Sequence, residues 1–72
     1  MNIKFPLELL EEGHIELVKL LKATGTFGSG GTAKVAISEG RVLVDGVVEL
    51  RKGRKIKRGQ RVECRGSIID VV

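Results

Sequence analysis

The sequence predicts an α+β domain in which two packed helices lie on a small, mainly antiparallel sheet of four to five short strands. Three observations point there. Apolar residues recur at helical spacing from His14 to Gly40. Beyond Gly40 the period becomes the two-residue alternation of strands. An Asp-Gly pair and later glycines then break the second half into strand-length pieces.

Taken in order, Asn2–Phe5 reads as a first strand, closed by Pro6, which has no amide hydrogen for a ladder. Residues 6–13 are ambiguous between a loop and a turn of helix. Residues 14–23 read as a helix with Leu17, Leu20, Leu21 and Thr24 on one face and Glu16, Lys19 and Lys22 away from it. Gly25 is its expected stop, and Lys19 and Lys22 suit its C-terminal dipole. Ser29, at the end of a glycine-rich loop, is an expected N-cap for a second helix. Ala33, Ala36, Ile37 and Gly40 give that helix a narrow stripe of mostly small residues, suited to close packing. Val42 and Val44 then alternate with Arg41 and Leu43. Asp45-Gly46 is a two-residue hairpin signal, with residues 47–50 as the returning strand. Gly59 marks another turn, residues 61–65 a strand with Val62 and Cys64 on one side, and Gly66-Ser67 a turn into 68–72.

Seventy-two residues make one domain, 1–72, with a thin core. A composition of 42% hydrophobic and 31% charged residues is that of a folded globule. The single cysteine allows no internal disulfide, the apolar runs are too short to span a bilayer, and no leader-like segment is visible; a soluble, cytoplasmic monomer is expected. The net charge of +4 is unevenly spread. Residues 1–36 are neutral, whereas 51–65 hold eight basic side chains against Glu63, a local charge of +7. Polyanions select such a surface.

Catalytic and cofactor signals are weak. Gly28-Ser29-Gly30-Gly31-Thr32-Ala33 fits the dinucleotide pattern G-x-G-x-x-A, but a helix precedes it where that motif needs a strand, and Asp45 falls in a turn. No Gly-Lys-Ser/Thr makes it a phosphate-binding Walker loop. Two readings stay open for these glycines: an anion site at a helix N-terminus, with Lys34 one turn on, or a helix–helix turn. His14 lacks neighbours at metal-ligand spacing and reads as a helix-start residue, and Cys64 reads as a buried strand residue. Glu8, Glu11, Glu12 and Glu16 read as a solvated or helix-start face. The expectation is a non-enzyme with no cofactor, no metal and no small-molecule substrate. Two phenylalanines, with no tryptophan or tyrosine, cannot form a row of base-stacking platforms, so phosphates and shape are the expected targets.

The run from Ser29 to Gly46, with Ser29, Ala33, Lys34, Ile37, Gly40, Val42, Val44, Asp45 and Gly46 in order, resembles the core signature of the RNA-binding domain named after ribosomal small-subunit protein four, also called the alpha-L motif. Ser29-Gly-Gly-x-Ala-Lys34 with Arg51-Lys52-Gly53-Arg54-Lys55-Ile56 resembles its short, free-standing bacterial subgroup of the YbcJ/YaaA type. The likeness covers about residues 14–66. Gly30 stands where many members carry arginine, which removes one expected RNA contact.

The resemblance implies two helices on a small sheet with a basic helix-and-hairpin surface facing structured RNA, ribosomal RNA foremost. Lys34, Arg51, Lys52, Arg54 and Lys55 are the expected phosphate contacts, Ser29 a donor at the helix start, and Lys57 and Arg58 the rim; Lys22 and Arg41 come after these. Replacing Arg51, Lys52, Arg54 and Lys55 with alanine is expected to weaken RNA binding and leave the fold intact. The alternative is an adaptor whose basic strip meets an acidic protein.

Overall fold

The computed structural model describes residues 1–9 and 13–72. The part of the 6–13 ambiguity that falls on residues 10–12, and the readings of Glu11 and Glu12, lie outside them. Strand β1 is Asn2–Phe5, followed by a 3-10 turn at Leu7–Leu9. Then come β2 (Ile15–Glu16), α1 (Leu17–Ala23), α2 (Gly30–Ser38), β3 (Leu43–Val44), β4 (Val47–Val48), β5 (Lys55–Ile56), β6 (Arg61–Cys64) and β7 (Ser67–Val71). Five strands form one sheet in the order β1-β7-β6-β3-β4, and β2 pairs with β5 in a separate ribbon.

Alternation along the strands decides the inner face. Val62 and Cys64 of β6 and Ile69 and Val71 of β7 point inward, against Leu17, Leu20 and Leu21 of α1 and Ala33, Ala36 and Ile37 of α2, all in one buried cluster. The sheet is mixed rather than wholly antiparallel. β1 runs parallel to β7, pairing Asn2 with Ile68 through Phe5 with Val71, while the pairings among β7, β6, β3 and β4 are antiparallel.

Three boundaries differ from the sequence reading. The first helix starts at Leu17, because Ile15 and Glu16 are drawn into extended pairing with Ile56 and Lys55; His14 therefore precedes a strand rather than opening a helix. Arg65, expected at the end of a strand, lies in a turn. Arg65 and Gly66 have φ of 50° and 75°, and they link the paired residues Cys64 and Ser67 just as Asp45 (51°) and Gly46 (82°) link Val44 and Val47. Two residues in the left-handed region match the twist of the flanking strands. Finally, β4 is shorter than expected and ends at Val48.

Ser29 caps α2 as expected: its hydroxyl accepts from the Thr32 amide at 3.3 Å. Gly40 ends that helix at φ 76°, and a β-carbon there would lie 3.6 Å from Val48 and 3.9 Å from Leu50. Space is therefore available, and conformation is the constraint. Gly40→Ala should lower stability by about 1 kcal/mol, the cost of a left-handed L-residue, read as a fall in urea midpoint at unchanged slope.

Candidate nucleic-acid interface

Helix α1 is only seven residues long, and its N-cap position, Glu16, makes no side-chain cap. The first amides of any helix lack intrahelical acceptors. Here Leu17 donates to the Arg54 carbonyl at 2.8 Å and Val18 to the Lys52 carbonyl at 3.1 Å. Beside them β2 pairs with Lys55 and Ile56, and Ile56 is fully buried. The Arg54 amide closes a turn onto the Arg51 carbonyl at 3.2 Å. The backbone of the basic segment is thus tied to α1 at several points, which leaves Lys52 and Lys55 side chains exposed to solvent.

Glu49 sits at the root of this loop and is 7% exposed, although charged groups are seldom buried unpaired. Its amide donates to the Val42 carbonyl at 3.0 Å. Its carboxylate accepts from Arg51 Nε at 3.0 Å, Arg51 Nη2 at 3.2 Å, the Arg51 amide at 3.0 Å and Arg54 Nη1 at 2.7 Å. The hydrogen bonds from the Arg51 side chain and amide, with that from Arg54, hold the Glu49 carboxyl down to about 2. The Arg51 guanidinium is held firmly protonated in return, and its side chain is still 72% exposed. The sequence pattern draws the eye to the basic run that starts two residues later and not to Glu49. No alternation marks it, since β4 ends at Val48 and Val47, two residues before Glu49, is 69% exposed.

The expected contacts divide into groups. A depression of about 550 Å³ between α2 and the loop is lined by Lys34, Val35, Leu50, Arg51 and Lys52 among others. A second, of about 510 Å³, is lined by Arg51, Arg54, Lys55, Lys57 and Gln60, with Gly53 common to both. Arg51 therefore joins two basic hollows. Ser29 and Arg58 line neither, and the Ser29 hydroxyl is engaged in capping. Lys22 lies over Gly30, its Cδ 3.9 Å from where a β-carbon would stand. The Lys22 side chain thus lies against this position. Arg41 bonds Glu39 at 3.2 Å. Two further members of the basic run are committed elsewhere: Arg61 to Asp70 at 2.7 Å, and Arg65 over the Phe27 ring at 5.1 Å.

Asp45 and Cys64 serve the fold. The Arg61 amide and the Gln60 side chain donate to Asp45, at 2.9 and 3.0 Å, and lower its pKa. Burial pushes the Cys64 thiol up, so it stays protonated. No described helix is long and apolar enough to cross a membrane.

Comparison with known proteins follows the same lines. The family model described as S4 domain matches residues 8–72. The YbcJ protein of Escherichia coli (strain K12) is 52% identical over 59 residues, covering 82% of this chain and 84% of that protein. The YbcJ protein of Shigella flexneri matches to the same extent. The solution structure of the Escherichia coli YbcJ, described as revealing an alfaL motif involved in RNA-binding, matches with a TM-score of 0.72 at 48% identity, over 96% of this chain and 85% of that one.

Replacing Arg51, Lys52, Arg54 and Lys55 together with alanine would strip Glu49 of both arginines while leaving it buried, so loss of fold would be mixed with loss of charge. The acid dependence isolates this clamp. A carboxylate depressed from 4.5 to about 2 contributes stability that is full above 4.5 and lost as pH falls towards 2. Asp45 titrates in the same direction, so the informative quantity is a difference. In urea unfolding between pH 6 and pH 2, Glu49→Gln should show a shallower loss of stability than the parent below pH 4.5; parallel curves would mean the clamp does not hold in solution.

Proposed function

We propose, from the fact that this chain belongs to the S4 domain family, that residues 1–72 form one non-catalytic RNA-binding domain that docks on structured RNA, with ribosomal RNA as the favoured class. Contact is made mainly to phosphates by Lys34, Arg51, Lys52, Arg54, Lys55 and Lys57. The observation that carries the reading is the shared hollow in which Lys34, from α2, meets Arg51 and Lys52 from the pinned loop. Residues distant in sequence converge there, so the cationic surface is a product of the fold and not only of a charged run. The RNA-binding motif of the similar Escherichia coli protein supports the same assignment.

The chemistry suits phosphates. Lys34, Lys52, Lys55 and Lys57 are exposed point charges on anchored backbone. Arg51 and Arg54 spend part of their donor edge on Glu49 and keep the rest for outside partners. Ser29, whose hydroxyl caps α2, and Arg58, at the turn before β6, lie at the margin of this surface and contribute less. Lys22 supplies charge beside Gly30.

Six phosphate contacts give a log–log salt slope of about −5 on duplex scaling. The variant Lys34→Gln, Lys52→Gln, Lys55→Gln, Lys57→Gln spares both Glu49 partners and should remain folded by circular dichroism. Titrated against a fluorescent ribosomal RNA hairpin across a salt series, it should bind at least tenfold more weakly, with the slope reduced by about one unit per lost contact. A folded variant with the parent's affinity and slope would overturn the surface assignment. In cells, crosslinking of a tagged copy should enrich a structured RNA, and recovery instead of a nuclease-resistant protein partner would replace this reading with that of an adaptor.

A further inference from the structure

We propose that the hollow between α2 and the pinned loop seats one unstacked nucleotide, its base lying on Val35, Leu50 and the planar face of Arg51, and its phosphate held between Lys34 and Lys52. The inference rests on the RNA-binding reading and adds where on the RNA the domain sits: at a bulge, junction or frayed end.

Apolar exposure is the first observation. Val35 is 54% exposed and Leu50 61% exposed, and both line the hollow beside the cations Lys34, Arg51 and Lys52. A surface for phosphates alone has no use for exposed apolar groups in its lining, and a flat, uncharged ring beside a phosphate matches both halves. The second is the state of Arg51. Glu49 accepts from its Nε and Nη2, so the guanidinium is fixed by its edge with 72% of the side chain exposed. Guanidinium planes stack on unpaired bases, and a fixed plane loses little freedom in doing so. Volume is the third, since about 550 Å³ lies within the range of roughly 300–1,000 Å³ usual for small-ligand sites. The neighbouring Ser38 hydroxyl donates to the Val35 carbonyl at 2.9 Å, so its proton is spent within the helix and only its oxygen, as an acceptor, is left to meet a base edge.

The test uses one RNA stem in three forms: fully paired, with a single bulged nucleotide, and with an abasic bulge. Fluorescence anisotropy should show the protein binding the bulged stem about tenfold more tightly than the paired one, a difference of about 1.4 kcal/mol, with the abasic bulge close to the paired stem. Leu50→Ser and Arg51→Lys, the second keeping the charge and losing the plane, should each bring the bulged-to-paired ratio towards one. An unmodified protein that binds paired and bulged stems equally, or an abasic bulge that binds as well as the complete one, would overturn the nucleotide seat while leaving RNA binding intact. A protein that binds none of the three would overturn the RNA reading itself. The abasic comparison needs no protein variant, so it decides the matter even if a substitution disturbs the fold.

Discussion

Most of what is distinctive here depends on how one short helix begins. The leading amides of α1 have no capping side chain, and the carbonyls of Arg54 and Lys52 take that place. One pair of hydrogen bonds thereby answers two needs: it completes the helix end, and it holds down a segment whose repelling cations would otherwise keep it loose. Ordering the backbone of such a loop costs on the order of 1–2 kcal/mol per residue. Because folding has already met that cost, association with a polyanion need order only side chains.

Glu49 completes this arrangement from below. A negative charge within a basic surface subtracts from its attraction, but Glu49 sits under the cations rather than among them. It relieves repulsion between Arg51 and Arg54 and holds both to defined positions through hydrogen bonds of 2.7 to 3.2 Å. The geometry comes at the expense of one unit of net field, which a chain of net charge +4 retains in sufficient measure.

How far the sequence foretold this differs by element. The helix faces, the Ser29 cap, the hairpin at Asp45-Gly46 and the inward Val62 and Cys64 follow from periods and turn chemistry that act within a few residues, and the structure agrees with each. The family resemblance rested on the same local pattern and is borne out by the match over residues 8–72. What escaped were contacts between distant parts. Nothing local to Ile15 says that it will pair with Ile56, and this pairing is what moved the helix start to Leu17. The Glu49 clamp needed burial to be known before its charge became meaningful. Likewise, the basic run from 51 to 65 looked uniform in sequence, yet Arg61 and Arg65 are held by Asp70 and Phe27, and Lys34 joins the surface from a separate helix.

The parallel pairing of β1 with β7 has a consequence for how the domain comes into being on the ribosome. β1 is made before every other strand of the sheet, and β7, which supplies its ladder, is the last of them. Between those moments the nascent chain carries an extended segment with no partner, although the residues of both helices, of the basic loop that closes the start of α1 and of the β3–β4 hairpin have already been made. Isolated charge at Lys4 and the stop at Pro6 make that waiting strand a poor template for other chains. Closure of the sheet is therefore a late event in biosynthesis, and the N-terminal strand is the piece that is fastened last.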